Sequence, residues 1–450
     1  MAPDATSSRL ARLPFFYGWV VVAVAFVTMA IGVNTRTAFS LLFPPILDEF
    51  GWDRATIAGA FSIGFLASAL YTPFLGMAMD RFGPRLVIPF GVLTVASGLI
   101  LATGAGRPWQ FDLSLGVLVV GGSVFVSYIG HSIFLPHWFV RRRGLATGLA
   151  FSGVGIGSIL LFPWLQGLID ANGWRSACYA MAALLLVVLL PLNLLLQRQR
   201  PEHVGLSADG DRPATAKADP TAASSIVDQA WAATDWTLAR AMRTVRFWWL
   251  FVAYFCGLFA WYTVQVHQTR YLLEIGFRPE VAAFALGLVG LAGVVGQIAI
   301  GHLSDRVGRE WAWTLAALGF VLCYLCLLAL PARPDMALLY LMVGAQGLLG
   351  YGLATVYGAI PAELFHGPRF GTIFGTLSSA SILGAASGPW VTGKIYDRAH
   401  SYAPAFWLAI ALCLVSIACV WLAAPRKVRL VAGRAARLQA RRTAAARTKA

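Results

Sequence analysis

The chain has 450 residues, 58% of them hydrophobic and 12% charged, with a formal net charge of +15 and a mean hydropathy of +0.69. A water-soluble chain of this length carries about a quarter charged residues, so a soluble multidomain enzyme is excluded. Arg426, Lys427, Arg429, Arg434, Arg437, Arg441, Arg442, Arg447 and Lys449 follow Pro425 with no acid among them. That basic tail beside a membrane suits anionic lipid headgroups rather than nucleic acid.

About 20 apolar residues cross the roughly 30 Å hydrocarbon core as a helix. Twelve such spans are predicted, at 15–47, 55–79, 86–104, 113–138, 144–168, 175–197, 247–273, 280–301, 311–331, 336–361, 370–394 and 403–424. The expected fold class is therefore an all-α membrane protein, twelve transmembrane helices in two pseudo-symmetric six-helix bundles. The bundles occupy 1–197 and 247–424. Residues 198–246 are rich in Ala, Asp, Pro, Ser and Thr and read as a largely unstructured linker, ending in a short amphipathic surface helix at Trp236–Arg246. Residues 425–450 form the tail.

With the amino terminus in the cytoplasm, 26 of the 35 basic residues fall in inner segments and eight outside, with Arg36 inside a span. The asymmetry predicts a multi-pass protein with both termini cytoplasmic. The expected location is a bacterial inner membrane. Cys178, Cys256, Cys323, Cys326, Cys413 and Cys419 all lie in apolar runs and read as small apolar side chains. Neither HExxH nor GxSxG nor an intramembrane acid pair is present, and no cofactor or metal is called for.

The halves match at an offset of 225 residues: Glu49-Phe50-Gly51-Trp52 lies over Glu274-Ile275-Gly276-Phe277. Gly76, Asp80, Arg81 and Gly83 lie over Gly301, Asp305, Arg306 and Gly308. Two parallel six-span repeats are an architecture of secondary transporters, with the substrate between the halves near the midplane.

Gly76-x-x-x-Asp80-Arg81-x-Gly83-x-Arg85 resembles the signature loop of the major facilitator superfamily, and Gly301-x-x-x-Asp305-Arg306-x-Gly308-Arg309 repeats it. The resemblance implies the major facilitator fold, and a loop whose charge contacts with neighbouring helices favour the outward-facing state. Tyr17-Gly18-Trp19, Trp138-Phe139-x-Arg141-Arg142-Arg143-Gly144 and Gly173-Trp174-Arg175 are similar to the monocarboxylate and oxalate–formate porter branch. That branch places a functional lysine within about one position of Arg36, and an arginine where this chain has Gln297. Its acid one turn earlier is Gly293 here.

Arg36 is the sharpest candidate. A charge within a span costs roughly 2.5–3.5 kcal/mol, so it faces a wet cavity or a partner. The count puts it in the outer half of span 1. An anion-binding guanidinium, a structural ion pair or helix cap, and an interfacial charge are the three readings; the first suits a carboxylate gripped by two parallel hydrogen bonds. Asn34, Tyr128, His131, Gln265, His267, Gln297, Tyr351, Tyr357 and Ser378 complete the candidate substrate set. His131 and His267 are alternatively structural, and either could carry a proton. The expected function is a secondary carrier of small organic anions, carboxylates above all, working as a monomeric unit with a possible coupling proton. A carrier of a neutral or amphipathic solute is the alternative.

Overall fold

The computed structural model describes residues 15–52, 54–210 and 226–438. Twelve helices in it are long and apolar enough to span a membrane. They are α1 (Gly18–Phe50), α2 (Arg54–Phe82), α3 (Pro84–Thr103), α4 (Pro108–Trp138), α5 (Arg143–Asn172), α6 (Trp174–Leu196), α7 (Val245–Glu274), α8 (Pro279–Val307), α9 (Arg309–Ala329), α10 (Met336–Leu364), α11 (Phe370–Ala399) and α12 (Ala403–Ala423). Helices are what apolar runs must form in lipid, because each satisfies its own backbone donors and acceptors. Leu66, Leu70 and Phe74, spaced four apart on α2, are 65%, 64% and 56% exposed and form an apolar stripe that fits lipid.

The two halves repeat each other in packing as well as sequence. Helix α1 lies on α5 as α7 lies on α11, and α2 on α4 as α8 on α10. Across the seam between halves, α2 packs on α11 and α5 on α8. Both crossings are glycine contacts at the end that carries the signature loops, called here the basic end. A Cβ on Gly76 would lie 2.1 Å from the Gly371 carbonyl oxygen, and one on Gly144 would lie 2.1 Å from that of Gly301. Any side chain there would force the helices apart.

Two symmetry-related helices are interrupted. In α4, a π-helical stretch (Asp112–Gly121) tightens to a 3₁₀ turn (Gly122–Val126) and breaks at Ser127, whose backbone is extended, before Tyr128–Trp138 resumes. In α10, π-helical Ala345–Leu349 and 3₁₀ Gly350–Gly352 precede Leu353–Tyr357 and Ala359–Leu364. Such interruptions inside a membrane are tolerated where backbone is buried in protein or lines a cavity.

The segment read as an unstructured linker is docked at both described ends; residues 211–225 lie outside the described residues. Asp209 accepts the backbone N–H groups of Val140 and Arg141 at 3.1 and 3.0 Å. Trp231 donates its indole N–H to the Leu364 carbonyl at 2.7 Å, and Trp236 packs on Phe365. The expected surface helix at Trp236–Arg246 is shortened to Leu238–Met242, capped by the Thr237 hydroxyl. Trp236 is only 5% exposed, so it anchors the segment in protein. An antiparallel bridge joins Ile226 to Arg429 in the tail. Beyond it, Val431 and Ala435 are buried, and Arg437 donates to the Arg306 carbonyl. The tail thus covers the second signature loop.

Candidate functional site

Arg36 lies closer to the middle of α1 than the sequence count indicates. It is preceded by 18 residues of the 33-residue helix, a rise of about 27 Å from Gly18. Its Nη2 donates to the Tyr262 hydroxyl across the seam at 3.1 Å, and its guanidinium stands 5.5 Å from the Phe65 ring. Tyr262 is preceded by 17 residues of α7, so the two side chains meet level with one another. Among the described residues no carboxylate pairs with Arg36.

Around this contact gather Tyr128, Gln265 and Tyr351. Tyr128 begins the resumed part of α4, packs edge-on against Phe151 at 4.8 Å, and lies close enough to Arg36, Tyr262 and Tyr351 to share their polar surroundings. Tyr351, on the 3₁₀ turn of α10, donates to Gln265 Oε1 at 2.7 Å and stacks on Trp261 at 4.7 Å. Its ring also fills the space beside Gly293, where a Cβ would lie 2.2 Å from Cδ2. An acidic side chain at that position is sterically excluded unless Tyr351 moves. Arg36, Phe65, Tyr128, Tyr262, Gln265 and Tyr351 are each partly exposed, so the seam is incompletely filled at this level.

The remaining candidates have other partners. Asn34 is 2% exposed and donates to the Ala30 and Val154 carbonyls at 2.7 and 2.9 Å, which ties α1 to α5. His131 is fully buried with Nδ1 2.9 Å from the Ser127 carbonyl, at the break in α4. His267 sets Nε2 3.0 Å from the Pro389 carbonyl of α11 and packs on Tyr402. Gln297 is 3% exposed; its backbone meets Gly148 at the α5–α8 crossing, and its Oε1 has no hydrogen-bond partner. Tyr357 shares a hydrogen bond with Ser381 and accepts the Tyr254 hydroxyl on its carbonyl, a second buried polar cluster set apart from the partners of Arg36. Ser378 is fully buried on α11 and its hydroxyl has no hydrogen-bond partner. Tyr262, Trp261 and Phe65 were missed from sequence. An aromatic residue in an aromatic-rich span has no distinguishing signal of its own; only the partner helix reveals it.

At the basic end the two signature loops act on each other's half. Gly371 and Thr372, at the start of α11, donate backbone N–H groups to Asp80 Oδ1 and Oδ2, both at 2.7 Å, and the Thr372 hydroxyl adds a third bond. Gly144 and Leu145, at the start of α5, donate to Asp305 at 2.9 and 3.0 Å. Each carboxylate therefore caps a helix N-terminus of the opposite half, where the helix dipole favours negative charge. Gly83 and Gly308 start α3 and α9 with φ of +72° and +115°, a turn that a side chain would strain.

The two caps are wired differently. Arg309 binds Asp305 at 2.7 Å and Glu363 at 2.8 Å, all three buried. Asp80 has no direct ion pair among the described residues, although the Arg200 charge lies near enough to act on it: Arg81 lies on the Phe82 ring, and Arg85 donates to the Leu194 carbonyl. Arg306 supplies its carbonyl to the tail.

Comparison with known proteins agrees with this architecture. The chain matches the Major Facilitator Superfamily over residues 20–356 and 275–448. It is 27% identical over 398 residues to monocarboxylate transporter 13 of Rattus norvegicus, covering 88% of this chain and 87% of that one. It is 28% identical over 424 residues to monocarboxylate transporter 12 of Homo sapiens, covering 87% and 77%. The solved proton:xylose symporter XylE superposes with a TM-score of 0.73 at 13% identity, over 90% of this chain and 95% of that one, a likeness of fold.

Proposed function

This chain belongs to the major facilitator superfamily and is a transporter, not an enzyme, and we propose that it carries small organic anions, carboxylates above all, by alternating exposure of the seam. The observation that carries this reading is Arg36, a guanidinium midway through the protein, held by a neutral hydroxyl and an aromatic face instead of a carboxylate. A charge in that position is stabilised by an anionic guest. Tyr262, Tyr128 and Gln265 offer polar groups around it, and Phe65, Trp261 and Tyr351 offer apolar walls. The similarity to monocarboxylate transporters supports the substrate class.

In this reading the glycine crossings and aspartate caps close the basic end, which faces the cytoplasm by the distribution of Lys and Arg. Conversion to the other state breaks both caps and parts α2 from α11 and α5 from α8. Where transport is coupled to a proton, either His131 or His267 or the substrate's own carboxyl group carries it, and no acid stands beside Arg36 among the described residues.

Thermal unfolding of the purified protein, screened against carboxylates, sugars and cationic dyes, tests the reading. Carboxylates should stabilise the wild type, and Arg36→Ala and Arg36→Lys should both lose that response. Stabilisation by sugars alone, or a full carboxylate response in both variants, would overturn it.

A further inference from the structure

At the basic end, a cavity of about 300 Å³ lies between the start of α1, the loop joining α4 to α5, and the first part of the linker. It is lined by Phe16, Trp19, Phe139, Arg141, Arg142 and Asp209. That volume is at the lower end for a ligand pocket, enough for a small polar group and too little for a large molecule. The rings hold one another in place. Phe139, 1% exposed, meets Phe16 at 5.5 Å and Trp19 at 4.9 Å between ring centres. The linker is pressed against them: a Cβ on Gly210 would lie 3.0 Å from the Phe16 ring.

Both signs of charge meet in this cavity. The Asp209 side chain is only 9% exposed. Its Oδ2 accepts the Val140 and Arg141 backbone N–H groups and lies 3.7 Å from Arg141 Nε. Its Oδ1 is buried with no hydrogen-bond partner. A carboxylate oxygen left in that state is costly until a donor reaches it. Arg142 is exposed and has no hydrogen bond or ion pair among the described residues. A simple cation entering here would meet two guanidinium groups, and a simple anion would leave Oδ1 unpartnered. A ligand that carries both charges answers both needs.

We propose that the cavity binds the headgroup of phosphatidylethanolamine. The ammonium donates to Asp209 Oδ1 and lies among the Phe16, Trp19 and Phe139 rings, whose π-systems attract a cation. The phosphodiester is gripped by the Arg142 guanidinium, with Arg141 beside it. The place fits this source. The cavity stands where α1 begins, and Phe15, just ahead of it, is 53% exposed, as an aromatic residue at the headgroup level is expected to be. The free acceptor selects ethanolamine over choline, because a quaternary ammonium has no N–H to donate. Since its groups come from α1, the α4–α5 loop and the linker, the bound headgroup fastens the linker to the amino-terminal bundle. The proposal does not depend on the substrate reading, since Arg36 takes no part in it.

The test is thermal unfolding of the full-length protein in mixed micelles, titrated with dioleoyl-phosphatidylethanolamine or dioleoyl-phosphatidylcholine. The wild type should be stabilised by the first at about one-tenth the mole fraction needed for the second, as expected for one charged hydrogen bond. Asp209→Asn keeps an oxygen for the two backbone N–H groups and a residue that tolerates the φ of +60° found there. It should fold and lose the preference between the two lipids. Arg142→Ala should weaken both lipids alike, because the phosphodiester is common to them. Trp19→Leu leaves every contact of Asp209 in place and should weaken phosphatidylethanolamine about threefold or more, which keeps the proposal testable should Asp209→Asn unfold. An equal response of the wild type to both lipids, or wild-type binding of phosphatidylethanolamine in Asp209→Asn or in Trp19→Leu, would overturn the proposal.

Discussion

A guanidinium midway through a membrane protein needs either water, a counter-ion or a polar cage. Arg36 has the beginnings of a cage: one tyrosine hydroxyl and one ring face. Because the Arg36–Tyr262 bond joins the two halves, it reports on both the ligand and the seam. Replacing Tyr262 by Phe removes one hydrogen bond worth about 1 kcal/mol and should weaken carboxylate binding about fivefold, measured by calorimetric titration. Unchanged affinity would show that the hydroxyl serves packing alone. Arg36 was visible in sequence because a charge inside an apolar run stands out. Its partner was not, because α7 holds many aromatic residues and sequence spacing leaves the face turned towards α1 open. The same ambiguity explains His267 and Gln265. They are two positions apart, yet one meets Pro389 of α11 and the other meets Tyr351 of α10.

Among the elements, the spans themselves were legible, since hydropathy alone dictates them. The breaks in α4 and α10 were not. Gly121-Gly122 and Gly350-Tyr351-Gly352 read equally well as close-packing positions, and only the backbone shows π and 3₁₀ turns there. The doubled signature loop was legible as a repeat, but its reciprocal capping across the seam needed coordinates. The crossings give a direct test. Gly144→Val places methyl groups where the Gly301 backbone lies. Spin labels on the basic ends of α5 and α8 should move apart in this variant, and an unchanged distance would remove the role assigned to the contact. The caps give another. Asp305→Asn disturbs a buried ion-pair network and should cost about 3 kcal/mol or more. Asp80→Asn weakens charged hydrogen bonds alone and should cost about 1–2 kcal/mol. Equal losses in chemical denaturation would show that the Arg309–Glu363 link adds nothing.

For the whole molecule, charge is distributed by position more than by amount. The excess of +15 sits mainly at the basic end, and much of the described tail is folded onto that end instead of hanging free. The sequence showed the charge run but not the buried valine and alanine that dock it. This end also sets an acid limit. Desolvation by the surrounding protein, with Arg429, Arg143 and Arg200 nearby, lowers the pKa of His366 from 6.5 to about 4 even though part of the side chain reaches solvent. Between those values the unfolded chain binds the proton more readily than the folded one. The contribution of His366 to stability is therefore intact above about pH 6.5 and declines as pH falls towards 4. Thermal unfolding across that range should show the decline, and His366→Gln should flatten it; an identical slope in the variant would place the acid sensitivity elsewhere.

The uneven anchoring of Asp80 and Asp305 has a consequence for how such a protein comes apart. One fastening is riveted to an arginine and a second acid deep in the wall, while its twin is clipped only to the start of a helix. Separation should therefore begin as an unzipping along the α2–α11 side, with the α5–α8 side serving as the pivot until last. A machine whose two halves look alike would then have a built-in order of release.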